Sequence, residues 1–350
     1  MYKLLLIGIS FIVFSTFLSG CNSGTQNVQV QDIVELKWQS DGSAIFGYSQ
    51  SYISTSTTVI PSPGYSIIRC NNDGSIAQTY NTTQLSRPTD IATGTIDSYA
   101  PSLYLSSDGN TIVTQLEGDV YRFHPQTGAL DKLLTQFHLI TVSPDLRYAV
   151  VTNSPDNRPI KTVDVYDLNS SVARHVTNFD AKVAISPGIW LNNGSFAITC
   201  NDTSGTNISI YDTTSIGPPL MIISGAETPF HNVVFNSNTN TLYVRNHGGH
   251  ATDNFVDKIN LTTKSRANML NFAVTDFDVT RDENIIIYSA YDTSHNIHLK
   301  SRNLVSSNEI SIADDIRLIV ALSPMEDKIA YIRQRDANFS EIHVIPFIRP

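Results

Sequence analysis

The sequence predicts an all-β fold, a seven-bladed β-propeller of four-stranded antiparallel blades. Three observations carry this expectation. The 350 residues are 41% apolar and only 16% charged, with 15 Tyr and 15 Phe. Thr, Ser and Asn recur throughout, which suits strands and not coiled coils or helical bundles. One unit recurs along the chain: an apolar run, a tight polar turn, two alternating runs and a short return. Its first turn reappears every 37 to 48 residues over the last five intervals, on average about 44. That is the size of one propeller blade.

The third unit shows the pattern best. Leu139-Ile140-Thr141-Val142 leads into Ser143-Pro144-Asp145, followed by Tyr148–Val151, Thr162–Asp167 and Arg174–Val176. The first turn can be followed as Ser40-Asp41-Gly42, Ser107-Asp108-Gly109, Ser143-Pro144-Asp145, Asn192-Asn193-Gly194, Asn236-Ser237-Asn238, Arg281-Asp282-Glu283 and Met325-Glu326-Asp327. These residue types tolerate or preset turn dihedrals. Seven anchors predict seven blades, and the long first interval predicts insertions. A lone blade cannot bury both faces, whereas a ring buries each against a neighbour.

Few residues follow the seventh anchor, so the last blade is expected near Arg317–Leu322, Ile329–Ile332 and Ile342–Phe347, without an outermost strand. The alternating Asn27–Gln31 segment is expected to supply it, closing the ring by pairing the N-terminal strand with the last blade. An outermost strand starts at the tight-turn face, so the N-terminal tether is expected on that face. Loops Ser49–Gly64, Asn81–Ala100, Asn153–Lys161, Asn201–Thr206, Asn246–Asn254, Tyr291–His295 and Arg335–Ser340 then gather on the opposite, outward face. Long loops on a rigid scaffold commonly bind. Candidate residues at that mouth are Asp156, Arg158, Asp202, His247, His250, Asp253, Asp292, Arg335 and Asp336.

The chain begins Met1-Tyr2-Lys3, followed by fourteen mostly apolar residues, Leu4 to Phe17. This is short for a membrane span and fits a secretory signal. Leu18-Ser19-Gly20-Cys21 then resembles the lipobox of bacterial lipoproteins. The resemblance implies cleavage before Cys21 and its lipidation, giving a signal peptide over 1–20, a lipidated tether over 21–26 and a propeller domain over 27–350. It also implies a place in the cell envelope, held to the lipid bilayer through the N-terminal anchor. Asn22 in place of Asp points to the outer membrane, facing the periplasm, in a Gram-negative cell. A formal charge of −9 excludes nucleic acid, which requires a basic footprint.

The Ser-x-Asp-Gly turns and strands such as Val165-Tyr166-Asp167-Leu168 and Ile210-Tyr211-Asp212 resemble TolB-type and lactonase-type seven-bladed, WD-like propellers. The likeness spans about residues 28–348 but specifies turns, not chemistry. It implies envelope proteins as partners, so the first expectation is a lipoprotein interaction platform. The alternatives are a lactonase- or lyase-like enzyme, or a small-ligand or glycan-binding module that would be marked by exposed aromatics at the central mouth. No Gly-x-Ser-x-Gly, His-Glu-x-x-His, Gly-x-Gly-x-x-Gly or phosphate-binding loop occurs, which weighs against an enzyme.

No cofactor is predicted. His247-Gly248-Gly249-His250, with Asp253 and His231 in the same blade, is a weak pattern for a divalent metal, because a loop does not hold His-x-x-His on one side as a helix does. His295 and His298, three apart on a strand, are expected on opposite sides. Cys70 and Cys200 fall three blades apart, beyond disulfide reach, and are expected as free buried thiols.

Overall fold

The computed structural model describes residues 28–54, 59–81, 103–116, 119–153, 160–180, 183–191, 194–202, 205–214, 216–224, 230–247, 254–272, 274–294, 296–314, 316–336 and 339–350. Every regular element given for them is a strand. Blade 1 holds β1 (Val28–Trp38), β2 (Ala44–Ser54), β3 (Val59–Asn71) and β4 (Ile76–Asn81). Blade 2 holds β5 (Leu103–Leu105), β6 (Ile112–Leu116), β7 (Asp119–His124) and β8 (Ala129–Leu134). Blade 3 holds β9 (Phe137–Val142), β10 (Tyr148–Asn153), β11 (Ile160–Asp167) and β12 (Val172–Asp180). Blade 4 holds β13 (Ala184–Trp190), β14 (Ser195–Asp202), β15 (Gly205–Asp212) and β16 (Met221–Ser224). Blade 5 holds β17 (Phe230–Asn236), β18 (Thr241–His247), β19 (Asn254–Asn260) and β20 (Arg266–Leu270). Blade 6 holds β21 (Val274–Val279), β22 (Ile285–Tyr291), β23 (Ile297–Asn303) and β24 (Glu309–Asp314). Blade 7 holds β25 (Ile316–Leu322), β26 (Lys328–Asp336) and β27 (Phe339–Pro346).

Strands within each blade pair antiparallel in sequence order. First strands of neighbouring blades touch one another, as β13 does with β9 and β17 and β21 with β17 and β25, so the first strands surround a central channel. The expected turn chemistry is what shapes each first hairpin. In each first hairpin turn one residue takes a left-handed φ: Gly42, Gly109, Leu146, Gly194, Asn240, Glu283 and Glu326. The side chains of Asp41, Asp108, Asp145, Asn236 and Asp282 accept the N–H two residues onward at 2.9 to 3.1 Å. Such local bonds hold a turn that a strand register alone would not specify.

The core is divided among the blade junctions, one apolar cluster to each. Ala44, Phe46 and Tyr48 of blade 1 meet Leu103, Ile112 and Phe123 of blade 2. Equivalent clusters join blades 2 and 3, 3 and 4, 4 and 5, 5 and 6, and 6 and 7. The seventh joins Ala330 and Ile332 of blade 7 to Ile33, Leu36, Ile45 and Ile68 of blade 1. Cys70 sits in that cluster and Cys200 in the one between blades 3 and 4, both buried and neither in a disulfide, as expected. Burial pushes the Cys70 thiol up to about 11, so it is inert.

The N-terminal strand does pair with the last blade, but in a different way from the expected one. Residues 28–33 are not a separate outermost strand. They continue β1, whose main partner along its whole length is β2, from Val28 opposite Ser54 to Trp38 opposite Ile45. The contact with blade 7 is one parallel pair, Gln31 with Phe339. A fourth strand would run antiparallel to β27, so parallel pairing reverses the direction expected for this segment, while the tether itself lies outside the described residues. Val28 leaves from the loop face, not the tight-turn face. The middle of β27 is occupied from another side. At Gly74, in the turn between β3 and β4, an added Cβ would stand 3.2 Å from the Ile342 carbonyl oxygen and 3.4 Å from Val344 N. Lys328 Nζ also donates to Asn72 O at 3.1 Å. The blade 1 turn therefore shields an edge that would otherwise invite pairing.

Blade 1 departs from expectation once more. The stretch read as a loop over Ser49–Gly64 is largely strand, with Tyr52 opposite Pro61 and Ser54 opposite Val59. β4 covers β3 only from Ser66 to Cys70, so Pro61 and Pro63 fall where no outer strand needs their missing N–H.

The shielding turn yields a test. Gly74 has φ +86° and Gly128, in the matching turn of blade 2, has φ +71° with nothing within 4 Å of an added Cβ. Gly128→Ala should cost about 1 kcal/mol for its backbone alone. Gly74→Ala should cost at least about twice that, because strain and a backbone clash add. Equal losses in denaturant titrations would show that the turn does not press on β27.

Candidate functional site

Of the residues read from sequence as a binding mouth, Asp156, Arg158, His250 and Asp253 lie outside the described residues, as does Cys21. Asp202, His247 and the pair Arg335 and Asp336 close β14, β18 and β26, the second strands of blades 4, 5 and 7, where loops to the third strands begin. Among the described residues no group of three or more His, Cys, Asp or Glu is arranged to hold a metal. Asp292 is already engaged. Its carboxylate accepts the Ser294 and Asn296 N–H groups at 2.7 and 2.9 Å and meets His298 Nε2 at 2.9 Å. His298 Nδ1 meets Asp314 Oδ1 at 2.6 Å. Those two side-chain bonds hold His298 above its ordinary pKa and Asp292 below the usual carboxylate range.

A cavity lies at the other end of the channel, the tight-turn end. It has a volume of about 470 Å³. Its wall joins Glu35, Lys37 and Trp38 of β1, Leu103 and Tyr104 of β5, the Ser143-Pro144 turn of blade 3, and Trp190 at the end of β13. The chain has two tryptophans, 38 and 190, and both stand on this wall. Trp38 Nε1 donates to Ala321 O of blade 7 at 3.0 Å, and Trp190 stacks parallel to Tyr148 at 6.4 Å between centroids. Each indole is half-buried, keeping part of its surface towards the cavity.

Acidic side chains on two of the first strands have a structural origin. A first strand has a partner on one side only, and its other edge leaves backbone N–H groups that require acceptors. Glu35 Oε2 accepts the Leu103 N–H of the next blade at 2.9 Å. Asp276 and Asp278 of β21 accept Val320 and Leu322 N–H at 2.8 and 3.0 Å in the same way. In β1 and in β21 the register shifts immediately before the acid, between Ile33 and Glu35 and between Val274 and Asp276. A bulge there re-aims the following side chain. Glu35 and Asp276 thus repeat one device in blades 1 and 6.

Burial pushes Glu35 up to about 7, against the lowering effects of Lys37 and the Leu103 N–H. It likewise pushes Asp276 up to about 7, opposed by the Val320 N–H and by Arg245. Lys37 Nζ is 3.8 Å from Glu35 Oε1. Arg245 Nε is buried with no hydrogen-bond partner among the described residues. The site thus combines aromatic surface, one exposed ammonium and a carboxyl able to exchange a proton near neutrality. Sequence reading missed Glu35, Lys37, Asp276 and Asp278. The legible signal was charge at alternate positions inside apolar first strands, Glu35-Leu36-Lys37 and Asp276-Phe277-Asp278.

Comparison with known proteins places the chain among seven-bladed β-propellers. No family model matches it. A lactonohydrolase of Aspergillus oryzae is 27% identical over 165 residues, 40% of this chain and 34% of the relative, so the chain spans about a third of that protein's length. An oligogalacturonate lyase in complex with manganese superposes with a TM-score of 0.62 at 10% identity, covering 91% of this chain and 90% of that one. The β-propeller domain of the Trilobed protease from Pyrococcus furiosus, which has an open velcro topology, gives 0.57 at 10% identity over 90% and 95%. TolB from Acinetobacter baumannii gives 0.49 at 12% identity over 81% and 79%. At such identities the likenesses to the lyase and to the protease domain establish the fold.

The buried acid leads to a pH test. Asp276 binds a proton in the folded state up to about pH 7, while the unfolded chain releases it near 3.8. Its contribution to stability is therefore present at low pH and is lost as pH rises from about 4 to 7. Asp276→Asn retains an acceptor for the Val320 N–H and does not titrate. Its melting temperature should fall less than that of wild type over this interval, by several degrees in the difference. Parallel curves would show that Asp276 is ionised throughout.

Proposed function

We propose that this chain is an exported, lipid-anchored propeller that binds a small hydroxylated ligand, of carbohydrate or lactone type, in the tight-turn end of its channel. The observation that carries the reading is the convergence of both tryptophans and Tyr104 on one cavity beside Glu35 and Lys37. Aromatic faces pack against the C–H surfaces of sugars and related rings, while a few polar groups fix orientation. The names of the relatives, a lactonohydrolase and an oligogalacturonate lyase, point to the same ligand range. An interaction platform for envelope proteins would use the loop face, whose candidate segments fall largely outside the described residues.

A second reading, catalysis on such a ligand, is favoured by the Glu35 carboxyl, which burial holds near 7 and which lines the cavity. Lactone opening or elimination needs a group that gives or takes a proton at neutral pH.

Both tryptophans report on the cavity, so their fluorescence reads binding directly. Titration with a panel of sugars, polyols and lactones should give a saturable change in emission, and Trp38→Phe should remove a large part of it. A panel that leaves the emission of both indoles unchanged would overturn the channel reading. Anchoring is tested separately. Cys21→Ala should release the protein from the detergent phase, and unchanged partitioning would refute lipidation.

A further inference from the structure

Resting on that reading, we propose that the cavity recognises its ligand through an anionic group held by Lys37, with Glu35 taking up a proton as the ligand binds.

Lys37 is the one cation among the residues that line the cavity, and its side chain is 53% exposed. At 3.8 Å from Glu35 Oε1 its ammonium is attracted but beyond hydrogen-bond distance. The neighbouring Asp278 lies close enough to feel its charge. That carboxylate is nevertheless committed, one oxygen to the Leu322 N–H at 3.0 Å and the other to the Val279 N–H at 2.8 Å. Glu35 is committed in half, through Oε2 to Leu103 N–H at 2.9 Å. Lys37 therefore offers donors towards the cavity that no described acceptor consumes. An ammonium so placed is a point-charge binder for a carboxylate or similar anion.

The anion's arrival puts a second negative group beside Glu35. Two carboxylates sharing one cation at close range cannot both stay ionised without cost, so the buried one takes a proton. The groups acting on Glu35 among the described residues are Lys37 on its own strand and the Leu103 N–H of β5, with Asp278 of β21 acting on Lys37 in turn. Since burial already holds Glu35 near 7, the proton comes from solvent at neutral pH with little resistance. Protonated Glu35 then exposes an O–H donor through Oε1. Above neutrality the same oxygen is a competing anion for Lys37. Affinity for anionic ligands therefore falls as pH rises through 7, whereas affinity for neutral ones does not.

Gluconate and sorbitol test this, because they share a carbon chain and hydroxyl pattern and differ in one carboxylate. Binding to the mature protein is followed by tryptophan emission and by calorimetry in two buffers of different ionisation heat. Gluconate should bind roughly tenfold more tightly than sorbitol at pH 6, the weight of one partly screened charge pair. It should lose most of that advantage at pH 8, and calorimetry near pH 7 should register proton uptake. Lys37→Met should erase the preference, bringing the two probes to equal affinity, and Lys37→Arg should restore part of it. Glu35→Gln should keep the preference and flatten its pH dependence. Equal affinity for the two probes at both pH values overturns the inference and leaves the channel reading standing. Silence of the tryptophans to both probes and to the wider panel removes the channel reading and this inference together.

Discussion

Every blade of this molecule has two apolar faces, and neither can be left to water. That constraint closes the chain on itself. The seven clusters of buried residues each draw members from one blade and from the next. Between blades 7 and 1 the backbone contributes one parallel pair, Gln31 with Phe339. Yet the junction buries Ile33, Leu36, Ile45, Ile68, Ala330 and Ile332 as thoroughly as any other. The ring is held there by face packing, and the Gly74 turn needs only to guard the strand edge beside it.

Face packing settles the outside of each blade, but it leaves the innermost strand with one unpaired edge. Backbone donors there must find acceptors from the next blade. Glu35, Asp276 and Asp278 meet that need, and the same burial that makes them necessary lifts their proton affinity. The channel's chemistry is thus a consequence of the architecture. In Glu35 and Asp276, carboxyls that serve backbone hydrogen bonds become groups that exchange protons at about 7. Where such a carboxyl faces an exposed ammonium, as Glu35 faces Lys37, a structural device and a binding device coincide.

The repeat was legible because turn chemistry is local. Asp41, Asp108 and Asp145 bond to backbone two residues away whatever the rest of the chain does, so their spacing counts the blades. That Cys70 and Cys200 form no disulfide was legible too, since standing three blades apart places both beyond reach of one another. The direction of the N-terminal segment was not. Alternation in Val28–Gln31 announces a strand, but strand direction depends on which neighbour it joins. The long β2 hairpin offered more backbone partners than the shielded edge of β27. Ser49–Gly64 was read as a loop between second and third strands, and it pairs with its prolines falling where β4 no longer covers β3.

By itself the amino-acid order determined the number of blades, their turns and their strand composition, all properties of residues close along the chain. Only the tertiary structure decided that Trp38 and Trp190 share a wall, that Glu35 lies half-buried beside Lys37, and that β1 begins on the loop face. These are relations between distant segments, set by how apolar faces stack around a ring. Periodicity along a chain gives the size of each blade, but it carries no information on which side chains of separate blades meet across the axis.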